Sequence, residues 1–142
     1  MQMTQDADET IAKLSSSGYR VTQPRRAVVE VLVRAKRSLS PEEICDRARK
    51  IHAEVGLATV YRTLDMLQEM GLLSRVQIGS KGYALSCAEH KLHLHLVCRK
   101  CHGVTEVEAD GPLAQLQHQL DDNGFASQGG AIEMLGLCQR CR

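Results

Sequence analysis

Apolar positions recur at helical spacing through most of the first half of the chain and at strand spacing through much of the second. Residues 6–17 read as an amphipathic helix with Ile11 and Leu14 inward, stopped at Gly18. Thr22 caps the next helix, and Pro24 sits in its first turn, where a missing N–H costs nothing. Val28, Val31 and Leu32 give that helix one apolar face. Ser40-Pro41-Glu42-Glu43 is a capping box opening a third helix, with Ile44, Ala48 and Ile51 inward. Residues 58–70, closed by Gly71, form the clearest helix, with Val60, Leu64 and Leu67 as its core stripe. Thr59, Arg62, Thr63 and Met66 fall on its other side, with Tyr61 at the edge.

Two short strands then follow, residues 73–78 and 82–85, around the turn Gly79-Ser80-Lys81-Gly82. Helices, a tight helix pair and a hairpin, in that order, predict a winged helix-turn-helix domain. Such a domain puts the second helix of the pair in the major groove of DNA. From residue 87 the texture changes. Residues 92–97, 104–108 and 131–137 read as strands, and 112–120 as a helix with Leu113, Leu116 and Leu120 inward. This β-β-α-β unit is too small for a large core, so it calls for a metal staple or a dimer interface. The fold class is α+β, with a winged helix-turn-helix domain over residues 1–86 and a small α/β domain over 87–142.

Composition narrows the class. With 142 residues and 43% hydrophobic content, the chain can bury a core, but at 3% aromatics that core is aliphatic. No apolar run reaches membrane-spanning length and the first residues do not form a signal peptide, so a cytoplasmic protein without a membrane partner is expected. In that compartment six cysteines read better as metal ligands than as disulfides. Residues 1–86 carry 13 Lys/Arg against 10 Asp/Glu, whereas residues 87–142 carry 5 against 7. That mild asymmetry suits a first half that meets a polyanion and a second that holds cations.

The candidate chemistry is concentrated at residues 87–106 and 138–141. Cys98-x-x-Cys101 and Cys138-x-x-Cys141 offer four thiolates in two knuckles, the closed tetrahedral shell of structural zinc. Paired disulfides or redox-active C-x-x-C motifs are the alternative, although thiol oxidoreductases carry one such motif in a βαβ context. Strand alternation puts His93 and His95 on one face and Leu94 and Leu96 on the other. Cys87 precedes them and Glu106 lies on the next strand, which gives a second, mixed S/N/O donor set suited to reversible binding. His90 is a possible substitute ligand, while Cys45 reads as a small core residue. On the 58–70 helix, Arg62 suits a phosphate or guanine, and Thr59 and Tyr61 suit thymine methyl groups. No Ser/His/Asp arrangement, phosphate loop or H-E-x-x-H is present, so neither an enzyme nor a small organic substrate is expected.

Together these motifs resemble the ferric uptake regulator family. The resemblance rests on Arg20-Val21-Thr22-x-Pro24-Arg25, Gly56-Leu57-Ala58-Thr59-Val60-Tyr61-Arg62-Thr63-Leu64, His93-x-His95-Leu96-x-Cys98-x-x-Cys101 and Cys138-x-x-Cys141. It covers essentially the whole chain. It implies a homodimer, residues 87–142 being the dimerisation domain, that represses promoters with A/T-rich palindromes when its regulatory metal is bound. Tyr61 and Arg62 would belong to the recognition helix, Arg20 would enter the minor groove, and Arg25 would meet a phosphate.

The same resemblance implies a sensory site at the hinge, made by Cys87, His93, His95 and Glu106. Iron and peroxide sensors have Asp or Glu where this chain has Cys87; a thiolate there is similar to the zinc uptake regulators, and softness favours zinc. A histidine that completes many iron and peroxide sites falls at Ser38. A third metal site would fall at Leu92, Leu94, Leu113 and Ala131, which cannot bind metal. Two zinc ions per protomer are therefore expected, one structural and one regulatory, in a repressor of zinc uptake genes. An iron-, nickel- or peroxide-responsive repressor is the alternative, followed by a zinc-containing thiol oxidoreductase.

Overall fold

The computed structural model describes residues 6–76, 82–85, 92–107, 110–127 and 130–142. The expected domain boundary at residue 86, Cys87, His90 and the turn at 79–81 lie outside the described residues. Four helices come first. In α1 (Ala7–Ser16) the Asp6 carboxylate caps Asp8 N–H, and Gly18 ends the helix in the left-handed region at φ 85°. In α2 (Gln23–Arg34) Thr22 Oγ1 accepts from Arg25 N–H, and Ala27, Val28, Val29, Val31 and Leu32 are buried. The capping box of α3 (Pro41–Arg49) is complete, with Ser40 and Glu43 satisfying each other's N–H groups. Finally, α4 (Leu57–Glu69) starts at Gly56 without a side-chain cap.

These helices bury a continuous aliphatic core that includes Leu14, Val28, Leu32, Ile44, Val60, Leu64 and Leu67. Two expectations fail there. Ile51 is 45% exposed, because α3 ends at Arg49 and the chain turns before Ile51 can face inward; Val55 is buried in its place. Thr63 and Met66 of α4 are buried rather than on the free face. The Thr63 hydroxyl donates to the Thr59 carbonyl at 2.7 Å, so its polar atom is satisfied inside the helix.

An antiparallel hairpin follows, β1 (Leu73–Val76) and β2 (Gly82–Leu85). An isolated bridge between Leu39 and Tyr83 ties the α2–α3 connection to this two-stranded sheet. Gly82 is needed at that contact, since a Cβ there would stand 2.8 Å from Ser38 Cβ.

The second half is a three-stranded sheet in the order β4-β3-β5. The central strand β3 (Leu92–Cys98) pairs antiparallel with β4 (Val104–Val107), crosses over through α5 (Asp110–Asp122), and pairs in parallel with β5 (Gly130–Gly136). The expected β-β-α-β order is present. However, Leu113, Leu116 and Leu120 are only half-buried, and no residue of α5 is fully buried. Leu96, Phe125, Met134 and Leu137 are exposed, so this half leaves apolar surface uncovered in one chain.

Candidate metal centres and nucleic-acid surface

The parallel pairing of β3 with β5 builds the first cluster. Cys98 ends β3 opposite Gly136, and Cys138 follows two residues later. Cys101 and Cys141 come from the turns beyond, closed by His102 N–H to Cys98 O and by Cys141 N–H to Cys138 O. All four sulfurs lie within 4.8 Å of one another, and all four thiols are free. Cys101 Sγ and Cys138 Sγ stand 3.8 Å apart. That is too far for a bond, and it is about the 3.8 Å edge of a tetrahedron with ~2.3 Å zinc–sulfur bonds.

The electrostatics also call for a cation. Backbone N–H groups of Cys101 and Cys138 hold the Cys98 thiol down to about 6. Cys138 is lowered as well, first by its hydrogen bond with Cys141. Cys141 is pushed up to about 12 by that same bond and by burial. Protein groups alone stabilise negative charge on part of the cage, and a dication is what would let four thiolates coexist.

The second cluster sits on the same sheet. His93 and His95 are both buried, their rings 4.7 Å apart at 65°. Glu106 lies opposite His95 in register, with 3.5 Å between its Oε2 and His95 Nε2. Donor atoms of all three residues fall within 4.8 Å of one another. His95 is 0% exposed, and neither of its ring nitrogens makes a hydrogen bond among the described residues. The 3.5 Å approach to Glu106 is outside hydrogen-bond geometry. A buried imidazole in that state has donor capacity suited to a metal ion. Cys87, the fourth expected ligand, is outside the described residues. Cys45 is in the helical core, its sulfur 3.8 Å from the Val55 carbonyl.

On α4 the exposed positions are Leu57, Ala58, Tyr61, Arg62, Asp65, Gln68 and Glu69, while Thr59 is half-buried. Tyr61 and Arg62 are therefore adjacent on one free face, without Thr63 and Met66. Arg20 is exposed, and the half-buried Arg25 donates from its guanidinium to the Arg20 carbonyl, which holds the Arg25 side chain against the Arg20 backbone. Tyr19 OH donates to Glu69 Oε2 at 3.1 Å and ties that segment to the end of α4. The hydrophobic pattern gave no sign of a further connection, in which the α2–α3 segment touches the first knuckle. Ser38 N–H donates to the His102 carbonyl at 3.3 Å, and Arg37 bridges to Gly103.

A helix-turn-helix with a wing, joined to a sheet bearing two donor clusters, is the build of a metal-responsive DNA-binding regulator. The ferric uptake regulator family matches residues 16–135, and the chain belongs to that family. It is 33% identical over 136 residues to the ferric uptake regulation protein of Neisseria meningitidis serogroup A, covering 93% of this chain and 92% of that protein. Against the ferric uptake regulation protein of Bacillus subtilis it is 34% identical over 140 residues, covering 94% and 93%. A solved zinc uptake regulator in complex with zinc and DNA superimposes with a TM-score of 0.78 at 24% identity, covering 99% of this chain and 95% of that one. The Helicobacter pylori ferric uptake regulator, described with three functional metal binding sites, gives 0.67 at 25% identity, covering 99% and 97%. Members of the family are transcription regulators, not enzymes, and this chain is a metal-responsive transcription regulator. No described helix is long and apolar enough to cross a membrane.

Proposed function

We propose that this chain is a zinc-responsive repressor of zinc uptake genes, working in the cytoplasm as a homodimer on palindromic operator DNA. The observation that carries the reading is the pair of donor clusters on one sheet: four thiols in one, and the buried His93 and His95 with the half-buried Glu106, Cys87 being nearby in sequence, in the other. Cys98, Cys101, Cys138 and Cys141 are assigned to a structural ion, and Cys87, His93, His95 and Glu106 to a regulatory one. Zinc, when bound, supplies a tetrahedral cross-link and positive charge. The thiolate of Cys87 beside two imidazoles favours zinc over iron on softness. The uncovered Leu96, Phe125, Met134 and Leu137 support a second protomer.

In this reading residues 1–86 are the DNA-binding domain and 87–142 the dimerisation domain. Tyr61 and Arg62 meet base edges in the major groove with Thr59 beside them, Arg25 holds a phosphate, and Arg20 reaches the minor groove. His93, His95, Glu106 and Cys87 draw the hinge into one arrangement, so that the two winged helices match successive grooves. A switch from mostly open to mostly closed needs roughly 10⁴-fold tighter metal binding to the closed form. Operator DNA must in turn tighten metal binding by the same coupling.

An iron-, nickel- or peroxide-responsive repressor is the second reading, supported by the relatives named for ferric uptake regulation. The test is binding to an A/T-rich palindrome at buffered free zinc, ferrous iron, manganese and nickel, for the wild type and Cys87→Ala. Switching by zinc at the lowest free concentration, lost in the variant, is expected. Switching by iron or nickel that ignores Cys87 would overturn zinc as the signal.

A further inference from the structure

We infer that the four-cysteine centre also positions the DNA-binding half, through a backbone latch between His102 and Ser38. The inference rests on the assignment of that cluster as a metal centre. The segment 37–39 lies between two partners. On one side Leu39 and Tyr83 exchange both backbone hydrogen bonds, Leu39 N–H to Tyr83 O at 3.1 Å and Tyr83 N–H to Leu39 O at 2.8 Å, which joins the segment to the wing. On the other side Ser38 N–H reaches the His102 carbonyl at 3.3 Å and Arg37 bridges to Gly103. Strands β1 and β5 also approach each other, so the wing and the sheet meet at a second place.

His102 makes the latch sensitive to the cysteines. It is the one non-glycine residue with positive φ among the described residues, at 58°. A residue with a Cβ holds that conformation only when its surroundings impose it. Here the surroundings are the knuckle itself: His102 N–H is bound to Cys98 O, and Gly103 O accepts from Cys98 N–H at 2.9 Å. The place of a Gly103 Cβ lies 3.3 Å from Cys101 Sγ, so the turn is packed against the sulfur cage. With the cage drawn together, the His102 carbonyl is aimed at Ser38. With the cage open, only the backbone bonds between Cys98 and residues 102–103 hold His102 left-handed, and the carbonyl turns away more readily. Ser38 and His102 are thus positioning residues that relay the state of one metal centre to the recognition helix via the wing.

The test is hydrogen exchange on the full-length protein, with the four-cysteine centre loaded with zinc and after chelation. Chelation is expected to raise exchange at Ser38 by tenfold or more while Leu39 and Tyr83 stay protected. Unchanged protection at Ser38 would overturn the latch. A second arm compares Ser38→Pro, which lacks the N–H, with Ser38→Ala, which keeps it. With all four cysteines still shielded from a thiol reagent, Ser38→Pro should bind operator about tenfold more weakly, the loss of one buried hydrogen bond. Ser38→Ala should stay within about twofold. Equal operator affinity of the two variants would overturn the positioning role, and if Ser38→Pro loses its helical signal, the exchange arm decides. That arm uses no DNA, so it judges the latch even where the wild type shows no metal-dependent operator binding, a result that would sink the proposed function instead.

Discussion

Two helices of 13 residues, α4 and α5, carry leucines at the same helical spacing and meet different fates. Leu64 and Leu67 of α4 are wholly buried, with Val60 beside them. Leu113, Leu116 and Leu120 of α5 are only half covered. The difference lies in what each helix has to pack on. α4 meets α2, α3 and β1, whereas α5 packs mainly on β3, the central strand of a three-stranded sheet. An apolar stripe shows that a face is meant to be covered, and says nothing of whether the same chain covers it. The first half holds itself together by aliphatic packing; the second has a smaller core, four clustered thiols and a surface that one chain leaves open.

The largest expected effect separates the two halves. Cys138→Ser removes one corner of the cage, and structural zinc sites carry on the order of 10 kcal/mol of binding free energy that is also folding free energy. Exchange protection of β3 and β5 should collapse, while the amides of α2 and α4 stay protected. Loss of protection in both halves together would mean that the halves are not independently held. The next effect is smaller. Leu64→Ala should cost about 2–5 kcal/mol in urea unfolding, independent of protein concentration. Met134→Asp, at a position 57% exposed in one chain, should leave the unfolding of α1–α4 unchanged and weaken self-association at least tenfold by sedimentation. A concentration-independent loss at Met134 would deny that a second copy covers this surface.

The smallest effect is electrostatic. Glu43 accepts from the Arg37 guanidinium at 2.6 Å and from Ser40 N–H, and these bonds, with Arg37 first, lower its carboxyl from 4.5 to about 2. Because the folded value lies below the unfolded one, the stabilisation is complete above about pH 4.5 and is lost as pH falls towards 2. The pair is more than a third exposed, so its worth is under ~1 kcal/mol. The stability gap between wild type and Glu43→Gln should therefore shrink across that window. A gap that stays constant down to pH 2 would remove Arg37 as the cause.

Much of this was legible in the residues. Capping signals at Thr22 and Ser40 and the glycine stops at Gly18 and Gly71 placed the helices within a residue or two, because caps are local chemistry. The two knuckles and the His-x-His alternation were legible for the same reason, since donor type and spacing travel with the sequence. What escaped reading depends on three-dimensional packing. Thr63 and Met66 looked free on a helical wheel, yet α4 has neighbours on more than one side. Ile51 looked inward because the period was carried past the end of α3. The latch between Ser38 and His102 is a backbone contact across distant parts of the chain, and side-chain patterns do not record such contacts.

The topology of the sheet also sets an order of events. His93, His95 and Glu106 belong to one hairpin, β3 with β4, and hairpins close in about 1–10 μs. The four cysteines wait for β5 to return through α5 and dock in parallel on β3, a slower search across a long loop. A chain whose sheet is half built can thus gather nitrogen and oxygen donors, while its sulfur cage closes only after the last strand is seated. The history of a molecule, as well as its equilibrium, thus bears on which of its two clusters is first in place to hold an ion.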